Sequence, residues 1–416
     1  EIPVDCGLVE VGPREVSRGA DVFGHDPKTG LHCAVRVPAA HFIPQVTRIA
    51  AEKLNQPVSL GDLRLHAFPT PRVVAQGLLV GRKGEVAVEE LEIVPELLPL
   101  LSGRLSIRAV VARGVTMKQA ALAIPDGLPK ARDGGEGVSI KRVRLEKVSL
   151  QHPAAKFPLF DLDLRLGEGL AAEAVQLEAR DINLKVTVAP EAPKVSAYAY
   201  EGRVYGGTIQ GTARLDASKQ MSVSGKATIT GVELLPIQAL LGKPAQFSGR
   251  LNADASFSAR ARTADKLAES LSLDAPFEIT GGTYRGYDLS KVGGLSGKLE
   301  KGGATKFDEL RGALQLRGKQ VKILPLCVKS PSLTAAGNVD ISPSQELSGK
   351  LDVSVAKTGG FVGIPVQLRG TTSDPWFTPT KGYLIGAALG TAVLPVIGTS
   401  IGSSLGSRME GKVDCK

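Results

Sequence analysis

Apolar and polar residues alternate along much of this chain in short runs broken by glycine or charge. Phe160-Asp161-Leu162-Asp163-Leu164-Arg165-Leu166 is one run, Ile182-Asn183-Leu184-Lys185-Val186-Thr187-Val188 a second and Leu251-Asn252-Ala253-Asp254-Ala255-Ser256-Phe257 a third. Successive side chains of a strand point to opposite faces, so each run predicts a strand with one apolar and one wet face. Met221 to Ile229, Leu333 to Ile341 and Leu351 to Val355 continue the pattern, so strands dominate from Val138 to about Leu368. Earlier strands are predicted at Val58 to Leu65, Val73 to Val80, Val86 to Val94 and Leu105 to Val111. Helical spacing predicts Ile43 to Leu54, with Pro44 in its first turn and Asn55 as its stop. Shorter helical elements are expected at Pro95 to Leu101, at Val232 to Leu241 with Gly242 as terminator, and at Thr263 to Leu271 with Thr263 as cap. The chain is therefore mainly β. Its apolar strand faces need a cover, and alternation alone leaves two open: a second sheet, as in a sandwich, or something that is not protein.

Composition narrows the partners. Forty-eight glycines and 4% aromatic residues suit many short strands with tight connections. The net charge of +9 favours an anionic partner. The densest basic stretch, Lys141, Arg142, Arg144 and Lys147, is interleaved with Val143, Leu145 and Val148, as on a solvated strand face. Basic residues interleaved with aromatics for base stacking are missing, which argues against nucleic acid. No G-x-S-x-G, H-E-x-x-H, P-loop or dinucleotide fingerprint stands in a convincing context, and none of His25, His32, His41, His66 and His152 lies beside an obvious nucleophile. Asp161 and Asp163, two apart on a wet face, are expected to serve solvation rather than catalysis. The expectation is a protein without enzymatic activity, cofactor or metal. Cys6, His25, His32 and Cys33 match no standard metal spacing. The four cysteines permit two disulfides in an oxidising compartment, and Cys6 with Cys33 and Cys327 with Cys415 is the expected pairing.

Residues 1–36 are weakly patterned, and Glu1 to Cys6 lack the basic start and apolar run of a secretory leader. Residues 124–137 are rich in glycine and charge and read as a linker. Tyr383 to Gly406 carries no charge over 24 residues, with Gly386, Gly390, Gly398, Gly402 and Gly406 at multiples of four. As a helix it would be roughly 36 Å long, enough for a hydrocarbon core of about 30 Å. Pro395 and the serines Ser400, Ser403 and Ser404 favour an internally packed or loose end instead.

Three stretches resemble the AsmA family of envelope proteins of Gram-negative bacteria. They are Leu54 to Leu65 with Phe68-Pro69-Thr70-Pro71, then Leu97-Leu98-Pro99-Leu100-Leu101-Ser102-Gly103-Arg104-Leu105-Ser106-Ile107, then a C-terminal module. That module includes Ser248 to Leu251, Phe277 to Leu289 and Ile364 to Pro375. Asn55 and Gln56 depart from the family's "G-R-P-V" corner, and residues 1–36 show no counterpart of the membrane-spanning helix that usually precedes it. The resemblance implies a long curled antiparallel β-sheet forming an apolar trough, begun by a chorein-like helix and interrupted by a few short helices. It implies phospholipid carriage through the periplasm between inner and outer membranes. The implied partners are phospholipid, a membrane surface and membrane proteins at either end. The candidate lining is Leu162, Leu164, Leu184, Val186, Val223, Ile229, Leu251, Phe257, Leu351 and Val353. The implied divisions are an N-terminal segment 1–36, a chorein-like region 37–123, a linker 124–137, a β-rich module 138–380 and a Gly-rich tail 381–416. A sealed sandwich acting as a periplasmic scaffold for outer-membrane protein assembly is the alternative.

Overall fold

A computed structural model of the chain describes residues 36–38, 42–66, 70–101, 106–123, 139–153, 155–167, 172–192, 196–216, 220–289, 301–357 and 360–382. The cysteine–histidine group at 6–33, the 124–137 segment and the 383–406 tail lie outside them.

The chain enters through β1 (Arg36–Pro38) and α1 (Ile43–Leu54), which has its proline in the first turn. The helix stops as expected at Asn55, whose left-handed backbone (φ 48°, ψ 36°) turns its N–H onto the Ala51 carbonyl. Next come β2 (Val58–Ser59), β3 (Asp62–His66), β4 (Arg72–Val80), β5 (Val86–Pro95), α2 (Leu97–Leu101) and β6 (Ser106–Lys118). A 3₁₀ turn (Gln119–Ala123) precedes β7 (Ser139–Ile140), β8 (Arg142–His152), β9 (Ala155–Lys156), β10 (Phe160–Leu166), β11 (Ala172–Ala179) and β12 (Leu184–Pro190). Contacts divide the chain into two units near this point, the second taking residues 154–156, 182–186 and everything from 191 onward.

In the first unit β1, β3, β4, β5 and β6 pair antiparallel in series, with β2 on the far end of β4. β6 then pairs in parallel with β8, which continues antiparallel through β10 to β11. The sheet is thus mixed rather than purely antiparallel. The strands on either side of the expected linker at 124–137, β6 and β8, belong to one sheet. Cross-strand register lines up two apolar rows over seven strands. One is Leu63–Ala75–Leu91–Ala112–Leu145–Leu162–Leu177, the other Leu65–Val73–Ile93–Val110–Val143–Leu164–Val175. A crease crosses the sheet where Gly77 (φ 65°), Gly114 (φ 62°) and Lys147 (φ 54°) take left-handed backbone. Glycine bears such a φ at no steric cost; Lys147 is held there by its N–H donating to the Asp161 carboxylate at 2.8 Å.

The second unit is a plain antiparallel series. Its strands are β13 (Ala197–Val204), β14 (Gly207–Asp216), β15 (Met221–Glu233), β16 (Phe247–Ala261), β17 (Ser272–Tyr287), β18 (Lys301–Arg317), β19 (Gln320–Lys329), β20 (Leu333–Ile341), β21 (Leu347–Lys357), β22 (Gly360–Gly370) and β23 (Pro375–Pro379). Each pairs with the next, and β13 and β23 do not pair with each other, so among the described residues the sheet stays open. A helix, α3 (Leu234–Leu240), lies between β15 and β16 and stops at Gly242 (φ 62°). The segment after β16 is a 3₁₀ helix, Ala264–Ser270; Thr263 sits at its start but makes no side-chain cap bond.

Candidate functional site: a one-sided apolar floor

Register determines which side chains of the second unit share a face. Gly202–Ile209–Ile229–Ala253–Phe277–Gly312–Leu326–Gly337–Leu351–Val366–Pro379 is a single cross-strand row from β13 to β23. A parallel row runs Tyr198–Ala213–Gly225–Phe257–Leu273–Leu316–Val321–Ile341–Leu347. The opposite face carries Ser224, Lys226 and Thr228 on β15 and Asp254, Ser256 and Ser258 on β16. One apolar floor therefore spans the unit, with a polar back.

The floor is low where it is open. Large rings lie over strand positions that have no side chain: Tyr200 is paired with Gly211, Phe257 with Gly225 and Phe277 with Gly312. A Cβ added at Gly225 would sit 2.8 Å from the Phe257 ring, and one at Gly312 2.9 Å from the Phe277 ring, so the rings rest on the backbone. Tyr200 is tied down further by its hydroxyl, which donates to the Lys226 carbonyl at 2.8 Å; burial pushes that hydroxyl's pKa up. Between the rings Ala227, Ala255 and Ala275 are buried, while Ile209, Val223, Ile229 and Phe257 stay half-buried.

Cover increases toward the C-terminal strands. Leu234 of α3 packs into a cluster with Ile279, Phe307 and Leu310. Gln238 clips the helix to the start of β16, its side-chain oxygen accepting from the N–H groups of Gln246 and Phe247 at 3.0 Å each. Beneath α3, Tyr284 stacks on Phe247 at 4.8 Å, and burial raises its hydroxyl to about 12. Beyond it the end of β17 turns back over β20–β23. Tyr287 and Leu289 join Leu333, Leu351, Val353, Ile364, Val366 and Phe377 in one closed cluster. The Tyr287 hydroxyl donates to the Pro375 carbonyl and its ring meets Phe377 edge-on at 5.4 Å. Thr305 secures the turn, donating to the Tyr287 carbonyl at 2.9 Å and accepting from Leu289 N–H at 2.8 Å.

The ten candidate lining residues therefore part company. Leu162 and Leu164 stand half-buried in the two apolar rows of the first unit. Leu184 and Val186 are half-buried on β12, alternating with exposed Lys185 and Thr187. Val223, Ile229 and Phe257 lie on the open floor, and Leu251 on the floor beneath α3. Leu351 and Val353 do not line open space: they are 7% and 0% exposed, sealed by the strands around them and by Tyr287. Alternation did not single out the rings of Tyr200 and Phe277, although Gly211 and Gly312 in strands were a signal for close approach.

A set of charged residues of the first unit forms an ion-pair ladder. Across its polar face Arg72 pairs with Glu92 (3.7 Å), Arg113 with Glu92 (3.2 Å) and Glu146 (3.1 Å), and Arg144 with Glu146 (3.8 Å) and Asp163 (3.5 Å). Arg142 closes the ladder on Asp163, and this guanidinium holds the Asp163 carboxyl below its usual range. Asp161 and Asp163 thus fix backbone and cations. Among the described residues no three His, Cys, Asp or Glu side chains gather as metal ligands, and no helix is long and apolar enough to cross a membrane. Cys327 is disulfide-bonded; the other three cysteines, Cys6, Cys33 and Cys415, all lie outside the described residues.

Among the described residues, an open, one-sided β-sheet whose apolar face is only partly covered defines the class of this protein. The AsmA family model matches residues 160–318, from β10 through β18, so this segment of the chain is similar to the AsmA family, which is associated with the cell envelope. The match spans the open floor and α3, and includes the Ser248 to Leu251 and Phe277 to Leu289 stretches; the two N-terminal stretches and Ile364 to Pro375 fall outside it. No curated protein and no solved structure matches the chain.

Proposed function

We propose that this protein carries phospholipid in the envelope without enzymatic chemistry, shielding acyl chains on the open floor of β13–β18 while head groups stay in water. One observation carries the reading: a continuous apolar face that remains half-exposed over β13–β16 although the same face is closed at β20–β23. Exposing two ~16-carbon chains to water costs on the order of 20 kcal/mol at ~0.8 kcal/mol per CH₂, so a floor that covers them removes most of the barrier to transfer. The dimensions fit. Four inter-strand steps of ~4.8 Å from β14 to β18 make about 19 Å, against about 15 Å for one leaflet's hydrocarbon. A disulfide at Cys327 agrees with an oxidising compartment such as the periplasm.

The closed cluster around Val353 supports a second reading, a scaffold whose apolar face is shut by a protein partner. Photo-crosslinking separates the two. A crosslinker at Phe257 is expected to capture phospholipid during expression, and one at Ser258, on the polar back, is not. Capture of protein alone from Phe257, with no phospholipid recovered by mass spectrometry, would establish the scaffold instead.

A further inference from the structure

Leu98 is 81% exposed, more than any other large apolar side chain among the described residues, and Leu97 beside it is 49% exposed. Both sit on α2, the five-residue turn that leaves the end of β5. Glu96 fixes the stem of this turn. Its N–H donates to the Ser106 carbonyl at 2.8 Å, and its carboxylate accepts from the Ser106 hydroxyl at 2.7 Å and pairs with Lys141 at 2.6 Å. The Lys141 bond, the Ser106 bond and the charges of Lys141 and Arg108 keep the Glu96 carboxyl ionised below its usual range. A clamped stem presents the two leucines outward, with the exposed side chains of Lys141, which pairs with Glu96, and of Arg108 at its base.

Projecting leucines above a cationic base suit an anionic bilayer: hydrocarbon receives the leucines and phosphates receive the lysine and arginine. A protein pocket would take the leucines equally well, but the basic base and the net charge of +9 favour the lipid surface. We propose that α2 is a membrane-docking knuckle that sets the β5–β6 end of the first unit against an anionic phospholipid leaflet. This deepens the carriage reading, on which its purpose rests, by naming a place where lipid passes between bilayer and protein.

Trp376 is the chain's one tryptophan, so a local reporter is straightforward. In the full-length chain, Leu98→Trp in a Trp376→Phe background should shift its emission to the blue on vesicles rich in phosphatidylglycerol. Brominated acyl chains should quench it, and phosphatidylcholine vesicles should do neither. Leu97→Ser with Leu98→Ser should weaken binding to the anionic vesicles on the order of a hundredfold, and Arg108→Glu should weaken it further at low salt. Unshifted, unquenched emission from the Leu98→Trp reporter on protein that sediments with the vesicles would overturn the proposal, as would binding indifferent to both leucines. Loading of phospholipid from detergent micelles is measured on the same variants. Unchanged loading with lost docking separates the knuckle from the floor, whereas intact docking with no loading in the parent chain counts against carriage alone.

Discussion

Val223 and Val353 occupy the same apolar face of the same sheet, and placing a lysine at each tests whether one is open and the other closed. Val353 is 0% exposed, shut in among Leu333, Ile364 and Val366. A lysine there must be buried charged or give up its proton, and full burial moves such a pKa by 3–5 units, about 4–7 kcal/mol. Set against a total stability of about 5–15 kcal/mol, that unfolds the closed end or leaves it barely folded. Val223 is half-buried beside Leu215, itself 39% exposed, so a lysine stem lies along the floor with its ammonium in water at a cost of about 1 kcal/mol. For a unit of this size 1 kcal/mol is about 2–4 °C in Tm, so Val223→Lys should melt within a few degrees of the parent and Val353→Lys some 10 °C or more below it. The assay is thermal unfolding by circular dichroism, with phospholipid recovered per mole of protein measured in parallel. Val223→Lys should stay folded and lose lipid. Equal destabilisation by the two variants would mean the floor at β15 is sealed core; a stable Val223→Lys that holds as much lipid as the parent would remove this floor from carriage.

Two further predictions concern what holds each unit together. Asp163 has its folded-state pKa lowered by Arg142 and Arg144, so the stability it contributes is present above its unfolded value near ~3.9 and is lost as pH falls through the folded one. Asp163→Asn should therefore cost about 1 kcal/mol at pH 7 in the unfolding of the first unit, and the Tm gap to the parent should close below about pH 4; a gap independent of pH would refute the ion-pair account. Tyr287→Phe leaves the buried hydrogen bond to the Pro375 carbonyl unmade, which should cost about 1–3 kcal/mol and speed amide exchange in β22 and β23, while exchange in β13–β16 stays unchanged.

Much of the architecture was legible in the chain because alternation reports the two faces of a strand directly. Leu333 to Ile341 and Ile43 to Leu54 form the strand and helix that the pattern predicts, to the residue. What the pattern does not report is non-local. The glycine- and charge-rich residues between β6 and β8 have the composition of a linker, and nothing in them records that the flanking strands pair in parallel. The left-handed Lys147 depends on Asp161, a residue from another strand. The same blindness divided the candidate lining. Leu251 to Phe257 and Leu351 to Val355 carry one binary pattern, and both point to one floor. They differ because β17 is 16 residues long and its far end, Tyr287, reaches Phe377 and closes the cluster around Val353. Whether an apolar strand face becomes lining or core is thus decided by which distant element returns to cover it, and an alternating pattern specifies only that a cover is required.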